Sequence, residues 1–234
     1  MIEKKNWDSN FFGYNVGQYR IEATGKVDVD KIIDESKDFV LTYIFSNKEL
    51  LIPERLKLAD IRITWHRSCD ELIEFDDFGD NGFIEEYNDM IHSYNQLLEL
   101  AFLSGKYSRF LVDENFQNNE FSLLYSEWLG KSVDHTIANI VLVYRIDDQI
   151  CGFVTLGAKT LTTANIGLIS VNVDYQGKGI GSCLLKAAMR FCQKKGFETL
   201  EVSTQRNNLP AMKLYERNDF VIKSFEYIYH IWNK

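Results

Sequence analysis

Val173-Asp-Tyr-Gln-Gly-Lys-Gly-Ile-Gly-Ser182 is the stretch that decides how this chain reads. The apolar run Ile166-Gly-Leu-Ile-Ser-Val171 comes before it, and the amphipathic run Cys183-Leu-Leu-Lys-Ala-Ala-Met-Arg-Phe-Cys192 follows. The pattern predicts a strand, a glycine turn and a helix. Glycines let backbone N–H groups crowd together, and a helix start adds its positive dipole end. That pairing of features binds phosphate. Spacing narrows the choice, because Gly177, Gly179 and Gly181 alternate. A dinucleotide fingerprint would need its third glycine where Ser182 stands. A P-loop would need Ser or Thr after Lys178, which is followed by Gly179.

What remains, Gln176-Gly-Lys-Gly179-Ile-Gly181 after a strand, resembles the coenzyme A pyrophosphate loop of the GCN5-related N-acetyltransferase (GNAT) superfamily, Gln/Arg-x-x-Gly-x-Gly/Ala. That superfamily usually also carries Asn-x-x-Ala-x-x-x-Tyr-x-x-x-Gly-Phe. Here the corresponding stretch is Asn208-Leu-Pro-Ala211-Met-Lys-Leu-Tyr215-Glu-Arg-Asn-Asp219-Phe220. Asp219 takes the place of a helix-ending glycine, where a left-handed backbone is expected. The resemblance implies an α/β (α+β) fold: a mixed central sheet with splayed strands and flanking helices, preceded by a smaller N-terminal α/β lobe. The division expected is residues 1–80 for that lobe and 81–234 for the acetyltransferase domain.

Composition sets the outer bounds. The 234 residues, 45% hydrophobic, suffice for one large domain or two small ones. No apolar run approaches a membrane span, and Met1-Ile-Glu-Lys-Lys-Asn6 leads straight to Trp7 without a signal-like segment, so a cytoplasmic enzyme is expected. A net charge of −8 argues against a nucleic-acid surface. Any anionic ligand must then be held by local groups. Cys69, Cys151, Cys183 and Cys192 are widely spaced and read as packing residues of a reducing compartment. His66, His92, His135 and His230 have no ligand spacing, so no metal site is expected.

Along the chain, the aromatic opening Trp7–Gly13 precedes an expected strand at Tyr14–Ile21. A helix follows near Val29–Ser36, then strands near Phe39–Phe45 and Leu58–His66. Ser68 to Gly82 holds six acidic residues and no Lys or Arg, and reads as a solvated loop between lobes, with a turn at Asn81-Gly82. Helices are expected over Glu85–Leu103 and Asn119–Leu129. From Asn139 onward, strands are expected at Ile140–Ile146, Gln149–Leu156, Thr162–Asn172, Leu200–Thr204 and Phe225–Ile231. Between them come a helix ending at Gly196 and another starting near Asn208.

The resemblance also assigns roles. Backbone amides across Gln176, Gly177, Lys178, Gly179, Ile180 and Gly181 would hold the pyrophosphate of acetyl-CoA. Main-chain groups near Val171 and Val173 would pair with the pantetheine arm, Asn208 would help to orient it, and Tyr215 would be the general acid. On spacing alone, Tyr215 reads equally well as a packing residue beside Leu214. No base stands out; Glu127, Asp113, His135 or a water chain are the candidates. Trp7-Asp-Ser-Asn-Phe-Phe-Gly13, Lys106-Tyr-Ser-Arg109-Phe-x-x-Asp113 and Tyr229-His-x-Trp232 are similar to the bacterial acyltransferases that acetylate dTDP-fucosamine. This implies a nucleotide-activated amino-deoxysugar as acceptor, Arg109 on its diphosphate, and a homodimer. A peptide or small-amine acetyltransferase and a silent coenzyme A-binding module are the alternatives. A nucleotide-binding regulator fits less well, because the chain has no basic patch and no DNA-binding element.

Overall fold

The computed structural model describes residues 1–21, 28–50, 56–70 and 82–233. The acidic loop and turn expected between Ser68 and Gly82 lie largely outside the described residues. Ten strands form one sheet: β1 (Glu3–Lys4), β2 (Val16–Arg20), β3 (Leu41–Ser46), β4 (Lys57–Ser68), β5 (Phe83–Glu86), β6 (Ile140–Ile146), β7 (Gln149–Ala158), β8 (Thr163–Val171), β9 (Thr199–Gln205) and β10 (Val221–Trp232). The helices are α1 (Asn6–Phe12), α2 (Val29–Glu35), α3 (Tyr94–Ser104), α4 (Arg109–Val112), α5 (Glu120–Val133), α6 (Ile180–Lys195) and α7 (Leu209–Arg217). Sheet order is β1-β2-β3-β10-β4-β9-β8-β7-β6-β5. The pairs β2/β3 and β8/β9 are parallel and the other pairs antiparallel, so the sheet is mixed as expected. Among the described residues, no helix is long and apolar enough to cross a membrane.

Two layers of helix cover this sheet. On one face, α6 buries Ile180, Leu184, Leu185, Ala188, Met189 and Cys192, packing with Trp65, Leu156, Val202 and Tyr215. Each large apolar side chain so buried contributes roughly 1.5–3 kcal/mol, which outweighs the roughly 1 kcal/mol penalty of Gly181 in the first helical turn. On the other face, Leu97, Leu100 and Ala101 of α3 and Tyr125 and Leu129 of α5 pack on Val141, Val143, Phe153 and Leu168.

The region expected to be helical from Glu85 is corrected. Phe83–Glu86 is an edge strand, pairing Ile84 with Tyr144 and Glu85 with Val143. The helix starts only at Tyr94, where Ser93 Oγ accepts from Gln96 N. Glu85 is held at the strand by Arg145 Nε at 2.8 Å and His92 Nε2 at 2.9 Å. Tertiary pairing overrides the local helical spacing there.

Candidate active site

The decisive geometry is a gap in the sheet. β8 and β9 pair from Thr163/Thr199 to Ile166/Val202 and no further. At that same level β8 bulges: Val154 of β7 pairs with Ile169 and Leu156 pairs with Ile166, so Gly167 and Leu168 oppose Thr155 alone. Thr155 Oγ1 takes the Leu168 N–H at 2.9 Å. A bulge bends its strand and ends regular pairing, which accounts for the divergence of β8 from β9. The Asn172 N–H donates to Cys151 O at 2.8 Å. With Leu168 and Asn172 both directed at β7, alternation leaves the N–H groups of Ile169 and Val171 on the gap side. Val171 O accepts from Gln176 Nε2 at 2.9 Å, so this expected pantetheine partner offers its N–H, not its carbonyl.

The glycine loop closes one end of the gap. Gly177 and Gly179 have φ of +78° and +83°, and a β-carbon at either would meet nothing within 4 Å. Backbone conformation, not crowding, therefore calls for glycine there. Gly179 is the N-cap of α6 and no side chain caps this helix. The first helical bond runs from Cys183 N to Gly179 O, which leaves the N–H groups of Ile180, Gly181 and Ser182 without helical acceptors. Residues 176–179 are exposed, with Lys178 lying over the Tyr175 ring. Val173 stands at the rim, lining a groove of about 440 Å³ with Gln96, Glu99, Leu100 and Asn172.

The downstream residues behave differently from one another. Asn208 is the N-cap of α7: its Oδ1 accepts from Ala211 N at 3.3 Å and its Nδ2 donates to Thr204 Oγ1 at 3.1 Å. Both side-chain groups are therefore engaged in holding α7 to β9. Tyr215 is 2% exposed, with its ring against Trp65 and Phe220. Trp65 pairs with Val202, the residue where β8 and β9 part, so the Tyr215 ring packs on the row at the apex of the gap. Burial pushes the Tyr215 phenol up, keeping it protonated. Asp219 has φ +59°, as expected from its place in the motif.

Arg109 opens α4, half-buried, with its guanidinium over the rings of Tyr43 (4.8 Å) and Phe110 (4.5 Å). Among the described residues it forms no salt bridge, and Arg109 Nε, Tyr43 Oη and His230 Nε2 are buried without hydrogen-bond partners. A guanidinium stacked on two rings, near the Asp60 carboxyl and without a salt bridge among the described residues, is able to receive an anionic or carbonyl oxygen.

Of the base candidates, Glu127 pairs with Lys131 at 2.8 Å on the α5 surface and His135 sits in an exposed turn. Asp113 is buried against His230 Nδ1 (2.6 Å) and Trp232 Nε1 (2.9 Å). None of the three borders the gap through a free group. The residue that sequence reasoning passed over is Asp60, on β4 beside the gap. Burial raises its carboxyl to about 6, with Arg109 and Arg62 opposing the rise. Its local sequence, Ala59-Asp-Ile-Arg62, carries no motif; only the strand's neighbours mark it.

Residues 111–220 match the acetyltransferase (GNAT) family. The chain is 25% identical over 228 residues to dTDP-fucosamine acetyltransferase of Escherichia coli O6:H1, covering 97% of this chain and 96% of that one. It is 26% identical over 136 residues to spore coat polysaccharide biosynthesis protein SpsD of Bacillus subtilis, covering 58% of this chain and 46% of that protein. A conserved protein of Staphylococcus epidermidis ATCC 12228, of unknown function, has the same fold (TM-score 0.63, 15% identity, 94% of this chain and 85% of that one). So does a GCN5-related N-acetyltransferase from Sphaerobacter thermophilus (TM-score 0.56, 14% identity, 82% and 60%).

Proposed function

We propose that this chain, which carries a GNAT-family acetyltransferase domain and draws its acyl group from acetyl-CoA, delivers that group to the amine of a nucleotide-activated amino-deoxysugar by direct attack. The observation that carries the acceptor assignment is Arg109, a half-buried cation with no salt bridge among the described residues, on the sheet face opposite α6 and α7. The near end-to-end similarity to a dTDP-fucosamine acetyltransferase supports the same reading. In this reading residues 1–80 and Arg109 together shape the acceptor side, and residues 81–234 hold acetyl-CoA.

Bound acetyl-CoA supplies an activated thioester carbonyl. The N–H groups of Ile180, Gly181 and Ser182, at the positive end of α6, bind the pyrophosphate. The gap-side N–H groups of Ile169 and Val171 receive the pantetheine arm, as a neighbouring strand would. Val173 and Asn208 border this path, Asn208 acting through the α7 N-terminus that it caps. Tyr215, buried and protonated, gives its proton to the departing thiolate. A solvent-shielded site keeps that thiolate from being stabilised by water, which raises the demand for a fixed proton donor.

The direct test is an acceptor panel: a dTDP-4-amino-deoxysugar, polyamines and peptides with free N-termini, each with acetyl-CoA and free-thiol detection. Turnover with the nucleotide sugar is expected. Turnover confined to peptides or polyamines removes the sugar reading.

A further inference from the structure

Asp60 occupies an unusual place in the sheet. β4 pairs with β9 only as far as Arg62 opposite Gln205, and Arg206 N then donates to Ile61 O at 2.8 Å. Ile61, level with Arg206, is the first β4 residue beyond the end of β9, and Asp60 is the next, with Ile228 of β10 on its other side. The margin of β4 there borders the gap. Ile166 is level with Val202, and Val202 is level with Trp65. Counting on from these rows brings Ile169–Val171 of β8 to about the row of Asp60–Arg62. The gap-side N–H groups of β8 and Asp60 thus lie at about the same level of the sheet, on either side of where β9 ends.

The face is also defined. Alternation along β4 puts Asp60, Arg62 and Thr64 on one side, and Ile63 and Trp65 on the side that packs with α6 and α7. Ile228, paired with Asp60, packs with Phe110 of α4 and Leu124 of α5. Tyr125 of α5 packs with Leu168 of β8 and feels the charges of both Arg109 and Asp60. Asp60 and Tyr215 therefore lie on opposite faces of the sheet, with the gap between them. Among the described residues Asp60 forms no salt bridge, although Arg109 and Arg62 lie near enough to act on its charge. A partly buried carboxylate without an ion pair, beside an opening in the sheet, is a candidate functional group.

We propose that Asp60 is the proton acceptor for the attacking amine. This rests on the acyl-transfer reading above, and needs only that the acceptor is an amine. As the C–N bond forms, a proton leaves nitrogen for Asp60. As the C–S bond breaks, its electron pair leaves on sulfur, which takes a proton from the Tyr215 hydroxyl. Solvent then restores the Tyr215 proton while Asp60 releases its own, so one proton has passed from nitrogen to sulfur. The groups facing Asp60 tune it for this work: Arg109 from α4, Arg62 from its own strand, Glu226 from β10 and Tyr125 from α5. A base poised near neutrality matches the operating pH.

Asp60→Asn keeps the side-chain shape and removes the base. With whichever amine of the panel the wild type acetylates, its single-turnover rate is expected to fall roughly 10²–10⁴-fold, with acetyl-CoA affinity unchanged. The acid limb of the wild-type kcat/KM profile, expected near pH 6, should disappear. A wild-type-like rate, or an acid limb retained in Asp60→Asn, overturns the assignment. The identity of the acetylated amine judges the sugar reading separately, because the Asp60 comparison is made on that same amine. A ¹³C-carboxyl titration of Asp60 in the free protein needs no turnover: a midpoint near 6 is expected, and one at the ordinary value of about 4 overturns the proposal.

Discussion

His230 Nδ1 lies 2.6 Å from Asp113 Oδ2, with both side chains buried and the two residues 117 apart in sequence. Burial pushes the His230 imidazole down to about 4, against the pull of Asp113. Burial alone would raise Asp113, but hydrogen bonds from His230, Trp232 and Asn115 hold its carboxyl well below the usual range. His230 Nε2 is buried without a hydrogen-bond partner, which suits a neutral imidazole whose Nδ1–H is donated to the carboxylate. Both folded-state values lie below their unfolded ones. His230's contribution is therefore full above about pH 6.5 and is lost between 6.5 and 4, where the unfolded chain takes up the proton that buried His230 does not, while the Asp113 share is lost only at lower pH. A loss on the order of 3 kcal/mol from His230 is predicted over that window. Calorimetric Tm between pH 7 and 4 measures it, and His230→Gln should flatten the slope; an unchanged slope in that variant refutes the assignment.

The glycine loop makes a second prediction. Gly179→Val places a branched residue at φ +83° in front of the uncapped α6 amides, while its β-carbon has open space around it. The fold should survive and acetyl-CoA affinity should drop at least tenfold, about 1.4 kcal/mol. Isothermal titration of a folded variant with wild-type affinity would reject the loop as the pyrophosphate site.

Tyr215→Phe separates proton donation from packing. The ring against Trp65 and Phe220 is retained and only the hydroxyl is lost. Under the proposed mechanism the single-turnover rate falls roughly 10²–10⁴-fold while acetyl-CoA still binds. Nearly full activity would leave Tyr215 as a core residue and solvent as the acid.

For Arg109→Ala, the KM of the nucleotide-sugar acceptor is predicted to rise at least tenfold with acetyl-CoA affinity nearly unchanged, about 1.4 kcal/mol of lost anion binding. Equal losses for both substrates would mean that the stacked guanidinium acts through packing on Tyr43 and Phe110.

Asp219→Gly is expected to stabilise. A non-glycine residue at φ +59° is strained by roughly 1–2 kcal/mol, and the unfolded-chain entropy of glycine returns about half of that. The Arg67 contact that is lost, 3.5 Å with Asp219 exposed, contributes little. Tm should rise by roughly 1–4 °C; a decrease would show that the ion pair outweighs the backbone strain.

The amino-acid sequence determined the features that depend on near neighbours. The loop at 176–181, the helix from Ile180 to its left-handed stop at Gly196, the α7 cap at Asn208 and the left-handed Asp219 all follow from turn and capping chemistry within a few residues. The dense strand pattern after Asn139 was equally legible, because each strand is apolar and bounded by turn residues. Tertiary structure alone decided the rest. Glu85 became strand because β6 offered a partner. Asp113 stood among the candidate bases until β10 brought His230 and Trp232 to it. Arg109 gained its stacked position from Tyr43, a residue of a strand distant in sequence. Asp60 acquired significance because β4 inserts between β10 and β9 and outruns the latter. No pattern local to Asp60 encodes where a different strand will end. The placing of a charge beside the gap is a property of sheet order and register, which are set by burial across the whole chain.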